Sequence, residues 1–252
     1  FNYLGVHNID KIHQGGPMPR KHANMTDEPT FGKKSRPIMT NRNKKQRCSI
    51  PILKRIESHM DDMLARHKDV YFFRFDIRYP QGYAAPSDNR QFCAFQADYV
   101  KGLQRENYDV RYVAVREQEN SSNQHYSEIV LVNVSPDPKG VVSKPELKPF
   151  IDSAEKIWER KLGLPPVDED ERDIPPECRK KNRGLIEDCT KSRYGYPQEN
   201  GIMLSKSDPE YEEKINRCFH WGSYTAKGKQ KDKTPPGQRE LFSSRLPKTH
   251  TK

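Results

Sequence analysis

The sequence predicts an α+β domain with a mainly antiparallel sheet and with helices packed on one face of that sheet. Three segments carry this prediction because they are dense in aromatic and β-branched residues: residues 69–79, 110–117 and 125–134. The last two are joined by a short polar link, so we expect them to form an antiparallel hairpin. With helical segments between and after them, the expected order is β–α–β–β–α, followed by a further helix.

The first helix and the first strand are predicted from different periodicities. Apolar residues such as Ile52 and Ile56 recur every three or four positions from about residue 50 to residue 67, which indicates an amphipathic helix. In the strand that follows, Arg74, Asp76 and Arg78 alternate with apolar neighbours. Because successive side chains of a strand point to opposite faces, this strand is expected to leave a polar face on the sheet.

Three further helices are expected. The first follows a capping residue at Ser87 or Asp88, and another covers about residues 145–162. The last begins at Ser207–Asp208–Pro209, where a capping residue and a first-turn proline precede several acidic residues, and it runs to about residue 226.

The composition of the chain divides it into five parts. Residues 1–48 are rich in Gly, Pro, Asn and Lys and are expected to form a basic extended or disordered arm. Residues 49–162 form the α+β core, and residues 163–206, rich in proline and charge, form a loop-rich insert with a short strand at 201–204. Residues 207–227 form a helix that completes the core, and residues 228–252 form a basic tail.

The charge of the chain favours a polyanionic partner. It has 45 Lys and Arg against 35 Asp and Glu, a net charge of +10, so nucleic acid is the leading candidate, and the alternative is a basic protein without such a partner. No apolar run approaches the roughly 20 residues that cross a bilayer, so no membrane partner is expected. The composition gives no indication of a small-molecule cofactor.

The cysteines favour a reducing compartment. Their number, 5, is odd and they form no CxxC pair, which argues against a disulfide framework or a zinc cluster and favours the cytoplasm. The chain begins at Phe1 and has no recognisable signal peptide, which is compatible with a fragment or a processed product.

Glu117 and His125 form a candidate metal site. They lie at the two facing ends of the predicted hairpin, and a carboxylate with an imidazole can bind Mg²⁺ or Mn²⁺. Ser127 points to the same strand face as His125, but its hydroxyl is a poor ligand, so a weak site is expected. The alternative interpretation is that His125 is a turn residue and Glu117 a solvated charge.

Tyr224 and Lys227 form a candidate nucleophile and its supporting cation. Their spacing places them on one face of a helix, where an ammonium group can neutralise charge on a phosphate under attack by the phenolic oxygen. The alternative is that Tyr224 only packs at the end of a helix. His220 precedes Tyr224 by one helical turn and is a spare imidazole on the same face.

Several of these segments, in this order, resemble the filamentous-phage (inovirus) replication-protein family, which includes the YagK/YfjJ-type proteins of bacterial prophages. The resemblance covers roughly residues 50 to 247. The segments that carry it are Phe73-Arg74-Phe75-Asp76-Ile77-Arg78-Tyr79-Pro80, Val115-Arg116-Glu117-Gln118, His125-Tyr126-Ser127 with Asn133, Cys218-Phe219 with Ser223-Tyr224-Thr225-Ala226-Lys227, and Arg239, Phe242 and Ser244-Arg245.

The resemblance implies a divergent HUH rolling-circle initiator with a ferredoxin-like palm, a divalent cation and a tyrosine that nicks one DNA strand. His125 matches the first histidine of the metal motif, Glu117 the upstream acidic position, and Tyr224 with Lys227 the nucleophile motif. Ser127 replaces the second histidine of the metal motif. The basic side chains expected to contact DNA are Arg74, Arg78, Lys229, Lys231, Arg239 and Arg245.

The main hypothesis from the sequence is a replication initiator of a phage or mobile element. It would act on single-stranded or origin DNA in the cytoplasm of a bacterial host, with host replication proteins as further candidate partners. Two alternatives stay open because of Ser127: a catalytically silent relative that binds DNA as a regulator, and a protein-interaction factor in phage defence or counter-defence.

Overall fold

A computed structural model describes residues 24–118, 122–164, 185–191, 195–228 and 234–247. Its main feature is one central sheet in which all strand pairs are antiparallel. The strands of this sheet are β5 (Asp69–Arg78), β6 (Val110–Glu117), β7 (His125–Asn133), β8 (Leu185–Glu187), β9 (Ile202–Ser205) and β10 (Leu241–Ser243). Their order is β10-β6-β7-β5-β8, and β9 also pairs with β5. The predicted antiparallel α+β class and the β6–β7 hairpin are therefore confirmed.

In the described part of the chain, four α-helices pack against the sheet: α1 (Ile50–Arg66), α2 (Arg90–Arg105), α3 (Lys148–Lys161) and α4 (Tyr211–Gly222). Helix α4 continues into a 3₁₀ turn, Ser223–Ala226. Helix α4 begins later than predicted, because Asp208 accepts the backbone N–H of Glu210 and binds the Lys214 ammonium, which closes a turn before the helix. Among these helices, none is long and apolar enough to cross a lipid bilayer.

Helices cover both faces of the sheet, so the prediction that they pack on one face is wrong. On one face, which we call the aromatic face, alternate residues such as Tyr71 and Phe73 pack under α2 and α3. On the opposite face, which we call the site face, the intervening residues Val70 and Phe72 pack under α1 and α4. The prediction failed because the polar residues of β5 on the site face lie only in its second half, while residues 70–73 are apolar on both faces.

Residues 24–48 differ from the predicted extended or disordered arm, because they fold against the site face. They contain four short strands, β1 (Met25–Thr26), β2 (Thr30–Phe31), β3 (Arg36–Pro37) and β4 (Cys48–Ser49), which pair as β1–β4 and β2–β3. Ile38 and Cys48 join the core of this face. Buried Arg36 lies over the Phe219 ring and places its Nη2 2.6 Å from Asp61 Oδ1. Residues 1–23 lie outside the described part of the chain.

The predicted insert and tail both contribute strands to the central sheet. The strand expected at 201–204 is confirmed as β9, which pairs with the first half of β5, and β8 pairs with its last residues. In the tail, β10 adds to the free edge of β6. Residues 165–184, 192–194, 229–233 and 248–252, where the rest of the predicted insert and tail falls, lie outside the described part of the chain.

Candidate functional site

A cluster of polar side chains occupies one end of the site face. In the antiparallel register, Glu117 on β6 is opposite His125 on β7, and Ser127 on β7 is opposite Asp76 on β5. These positions continue the alternation of Val115 and Ile129, which belong to the core of the same face. The apolar core of the site face therefore gives way to charged groups across three neighbouring strands.

Glu117 and His125 are in direct contact, as their places in the hairpin predicted. His125 Nε2 lies 3.1 Å from Glu117 Oε2. The Glu117 side chain is almost fully buried, while His125 keeps about a fifth of its side chain exposed. The contact with buried Glu117 therefore fixes the orientation of the partly exposed His125 ring.

Arg74 and Asp76 form a buried ion pair beside them. Arg74 is only 4% exposed, and its Nη2 lies 3.3 Å from Asp76 Oδ1. Burial works against the charged form of Arg74, but Asp76, Cys189 and Glu117 raise its pKa above the ordinary value. Burial likewise opposes the charge of Asp76, but Arg74 and Arg78 lower its pKa. Both groups are therefore charged at neutral pH.

Asn200 fixes the backbone of β5 at Arg74. The partners of β5 on this side leave a gap there, because β9 pairs with residues 69–72 and β8 with residues 76–78. The Asn200 side chain fills the gap: its Oδ1 accepts the Arg74 N–H at 3.0 Å and its Nδ2 donates to the Arg74 carbonyl at 2.7 Å. Sequence reasoning missed Asn200, since a single asparagine in a polar segment gives no signal of a contact with a distant strand.

Tyr224 and Lys227 reach the same cluster from the end of α4. Arg74 Cζ lies 4.6 Å from the centroid of the half-buried Tyr224 ring, and Lys227 Nζ lies 3.8 Å from it. The contact predicted from their spacing is present, although Tyr224 lies in the 3₁₀ turn and Lys227 caps its end, donating its backbone N–H to the Tyr224 carbonyl at 3.1 Å. Side chains three positions apart eclipse each other in such a turn. Two cations thus contact one aromatic ring, an arrangement that the negative faces of the ring favour.

The electrostatic surroundings change the proton affinity of Lys227. Burial lowers the pKa of its ammonium to about 8, with Cys48 and Glu117 opposing this effect and Arg74 adding to it. His220 also has a lowered pKa, through burial and the charge of Lys227. Lys227 can therefore exchange a proton near neutral pH, which an ordinary surface lysine does not do.

Residues on both sides of the turn hold Tyr224 in place. Ser223 Oγ donates to the His220 carbonyl at 2.6 Å and accepts the backbone N–H of Met39 at 2.7 Å. Gly222 packs closely on the sheet, since a Cβ atom there would lie 3.1 Å from Ile129 Cδ1. The Gly228 N–H donates to the Arg47 carbonyl at 3.0 Å. The segment 24–48 therefore positions the candidate nucleophile.

The described residues offer the predicted Mg²⁺ or Mn²⁺ site two strong ligands, Glu117 and His125. In the described part of the chain, no three His, Cys, Asp or Glu side chains are placed to hold a metal ion together. Glu117 and His125 bond to each other, and Asp76 is held by Arg74. Ser127 is fully buried and lies opposite Asp76, whose pKa it helps to lower, so its hydroxyl faces a carboxylate and replaces the second histidine without supplying a strong ligand.

The predicted DNA contacts fall in different places. Arg74 is buried in the cluster, so only a group that enters the cluster can reach it. Arg78 is half-exposed and places its Nη2 2.6 Å from Glu187 Oε2. Arg239 and Arg245 are exposed on either side of the edge strand β10. Lys229 and Lys231 lie outside the described residues.

The structure thus brings Glu117, His125, Tyr224 and Lys227 into one neighbourhood with Arg74, and this geometry is the basis for assigning a function. Comparisons of the chain with protein-family models, with curated proteins and with solved structures give no match.

Proposed function

We propose that this protein is a replication initiator of a phage or mobile element that nicks single-stranded DNA through Tyr224. The observation that carries the proposal is the contact of the Tyr224 ring with two cations, Arg74 and Lys227, in the same cluster as the Glu117–His125 pair. The sheet also supports it, because β7 lies between β5 and β6 and the helix α2 connects those outer two strands, as in a ferredoxin-like palm.

In the proposed reaction, the phenolic oxygen of Tyr224 attacks the phosphorus atom of one phosphodiester. A bond forms between this oxygen and phosphorus, the bond to the 3′ oxygen breaks, and the 5′ phosphate remains on the tyrosine. The phenol proton goes to water, and the departing 3′ oxygen takes a proton from the Lys227 ammonium, whose pKa of about 8 suits this transfer. Arg74, which stays charged, stabilises the negative phosphate oxygens.

No step of this reaction passes through a metal ion. The Mg²⁺ or Mn²⁺ expected from the resemblance would have only Glu117 and His125 as strong ligands, and these two side chains already bond to each other. Within the proposal, Glu117 orients the His125 ring toward a phosphate oxygen of the bound DNA.

A covalent adduct is the direct test. The protein is incubated with labelled single-stranded oligonucleotides from its replicon, with and without Mn²⁺, and separated under denaturing conditions. We expect labelled protein with the wild type, none with Tyr224→Phe, and formation slowed by about 10²-fold with Lys227→Ala, since that change removes a proton donor but keeps the nucleophile.

Tyr211→Phe is the matched control, because Tyr211 is a partly buried tyrosine at the start of α4, away from the turn. It should form adduct at the wild-type rate. If the adduct persists in Tyr224→Phe, Tyr224 is not the nucleophile.

A second candidate function is a catalytically silent DNA-binding relative. Two observations favour this second function. Ser127 replaces the second histidine of the metal motif, and the described residues include no group of three metal ligands. Such a protein would bind single-stranded DNA with an affinity that falls steeply with salt. It would give no adduct with or without Mn²⁺, so the same experiment separates the two functions.

A further inference from the structure

Inside the candidate site, the Nε atom of Arg74 is a hydrogen-bond donor without an acceptor among the described residues. The Nη2 atom of Arg74 binds Asp76, while the Nε atom is buried away from solvent. A buried donor without a partner costs about 1–3 kcal/mol, and more when the group is charged. Such an atom beside a candidate nucleophile indicates a position that an acceptor from a ligand would fill.

The ammonium group of Lys227 also offers hydrogen-bond donors beside the Tyr224 ring. The ammonium nitrogen lies 3.8 Å from the centroid of the Tyr224 ring, and the nearby Glu117 carboxylate that acts on its pKa is bonded to His125. Lys227 keeps part of its surface open to solvent, so a ligand can approach it from outside the protein. Arg74 and Lys227 therefore both offer hydrogen-bond donors next to the Tyr224 ring. Arg74 offers its donor from the protein interior, and Lys227 offers its ammonium group from the solvent side.

The acidic groups nearby leave these donors available. Asp76 binds the Nη2 atom of Arg74 and leaves its Nε free of a described partner. The Glu117 carboxylate is hydrogen-bonded to His125. By contrast, a cation would find Glu117 and Asp76 already engaged by His125 and Arg74. The cluster is therefore better arranged for an anion than for a divalent metal.

We propose that Arg74 and Lys227 form a phosphate-binding site beside Tyr224 that holds one phosphate group without a divalent cation. Arg74 would donate through its Nε atom from the interior, and Lys227 through its ammonium group from the rim. That this phosphate belongs to a DNA backbone rests on the proposed function, whereas the capacity to bind phosphate rests only on the two side chains. In such a site, the positive charges of Arg74 and Lys227 would stabilise the negative phosphate, as a bound metal ion does in metal-dependent enzymes.

The test is a calorimetric titration of the whole protein with inorganic phosphate in the presence of EDTA. We expect the wild type to bind, and we expect Lys227→Met and Arg74→Lys each to weaken binding by about fivefold or more, since each removes one charge-assisted hydrogen bond. Arg74→Lys keeps the charge beside Asp76 while removing the Nε donor. Lys227 is only partly buried, so Lys227→Met should fold, and it tests the site even if the Arg74 variant does not.

Arg90→Met is the matched control. Arg90 begins α2, which packs on the aromatic face, and its side chain is 89% exposed and paired with Asp88. Its loss should change phosphate affinity by less than about twofold, because surface charges act weakly through water. An equal weakening in this control, or phosphate binding by the wild type that requires Mn²⁺, would overturn the proposal.

The titration also separates this inference from the proposed function. Phosphate binding in EDTA without any DNA adduct would retain the anion site and reject nicking. An adduct that forms only with Mn²⁺, together with no phosphate binding in EDTA, would retain nicking and reject the metal-free site.

Discussion

The two faces of the central sheet are built from the same strands but bury their acidic residues differently. On the aromatic face, Glu128 is fully buried, and its described partner is the Gln96 amide, 2.8 Å away. Burial raises the pKa of Glu128 to about 8. On the site face, Asp76 is also buried, but Arg74 and Arg78 overcome the effect of burial and lower its pKa.

This difference shows what makes a buried acid useful for chemistry. Without a cation, the Glu128 carboxyl is protonated at neutral pH and acts as a polar packing group. With Arg74 beside it, the Asp76 carboxylate stays charged and fixes a guanidinium in the interior. Alternating positions on neighbouring strands thus give one face a structural role and the other a reactive cluster.

The largest effect is expected from the aromatic face, where Trp158→Ala should lower the free energy of unfolding by about 3–5 kcal/mol. Trp158 is fully buried, contacts the rings of Tyr79 and Phe95, and donates its Nε1–H to the Arg78 carbonyl at 2.8 Å. Chemical denaturation measures the change. Trp158→Phe should cost less, because it keeps most of the ring contacts; equal losses in the two variants would contradict the packing argument.

A smaller effect is expected from the titration of Glu128. Because its pKa is raised from 4.5 to about 8 in the fold, the protonated form stabilises the protein at low pH, and that stability is lost as the pH rises through about 8. The free energy of unfolding should fall by about 2 kcal/mol between pH 6 and pH 8.

Glu128→Gln should remove most of this pH dependence, as measured by urea denaturation at several pH values. The exposed Glu213 provides the control, since Glu213→Gln should keep the wild-type slope. A slope that survives in Glu128→Gln would show that another group is responsible.

The smallest effect is expected where the segment 24–48 docks on the site face. Asp61→Asn removes the carboxylate that pairs with buried Arg36 at 2.6 Å, but Asp61 is 39% exposed, so water screens the pair. We expect a loss of about 1 kcal/mol that shrinks in high salt. Asp152→Asn, which breaks the more exposed pair with Lys148, should cost only a few tenths of a kcal/mol. Equal losses would argue against a docking role for Arg36.

The sequence by itself determined the elements whose contacts are local. The spacing of Ile52 and Ile56 predicted α1, and the β6–β7 hairpin brought Glu117 opposite His125, because a short link leaves two strands few other ways to pair. The spacing of Tyr224 and Lys227 likewise placed the ammonium on the ring, since residues three positions apart share one face of a helical turn.

Only the tertiary structure decided the contacts between distant segments. Three contacts join segments that are far apart in the sequence, so no local sequence pattern predicts them. They are the contact of Arg74 with Tyr224, the hydrogen bonds of Asn200 to Arg74, and the docking of residues 24–48. The alternation of charge in β5 showed a polar strand face but not whether water or a helix covers it. That outcome depends on how α4 and the N-terminal segment pack together, because a charge is buried only where the fold also supplies its partner.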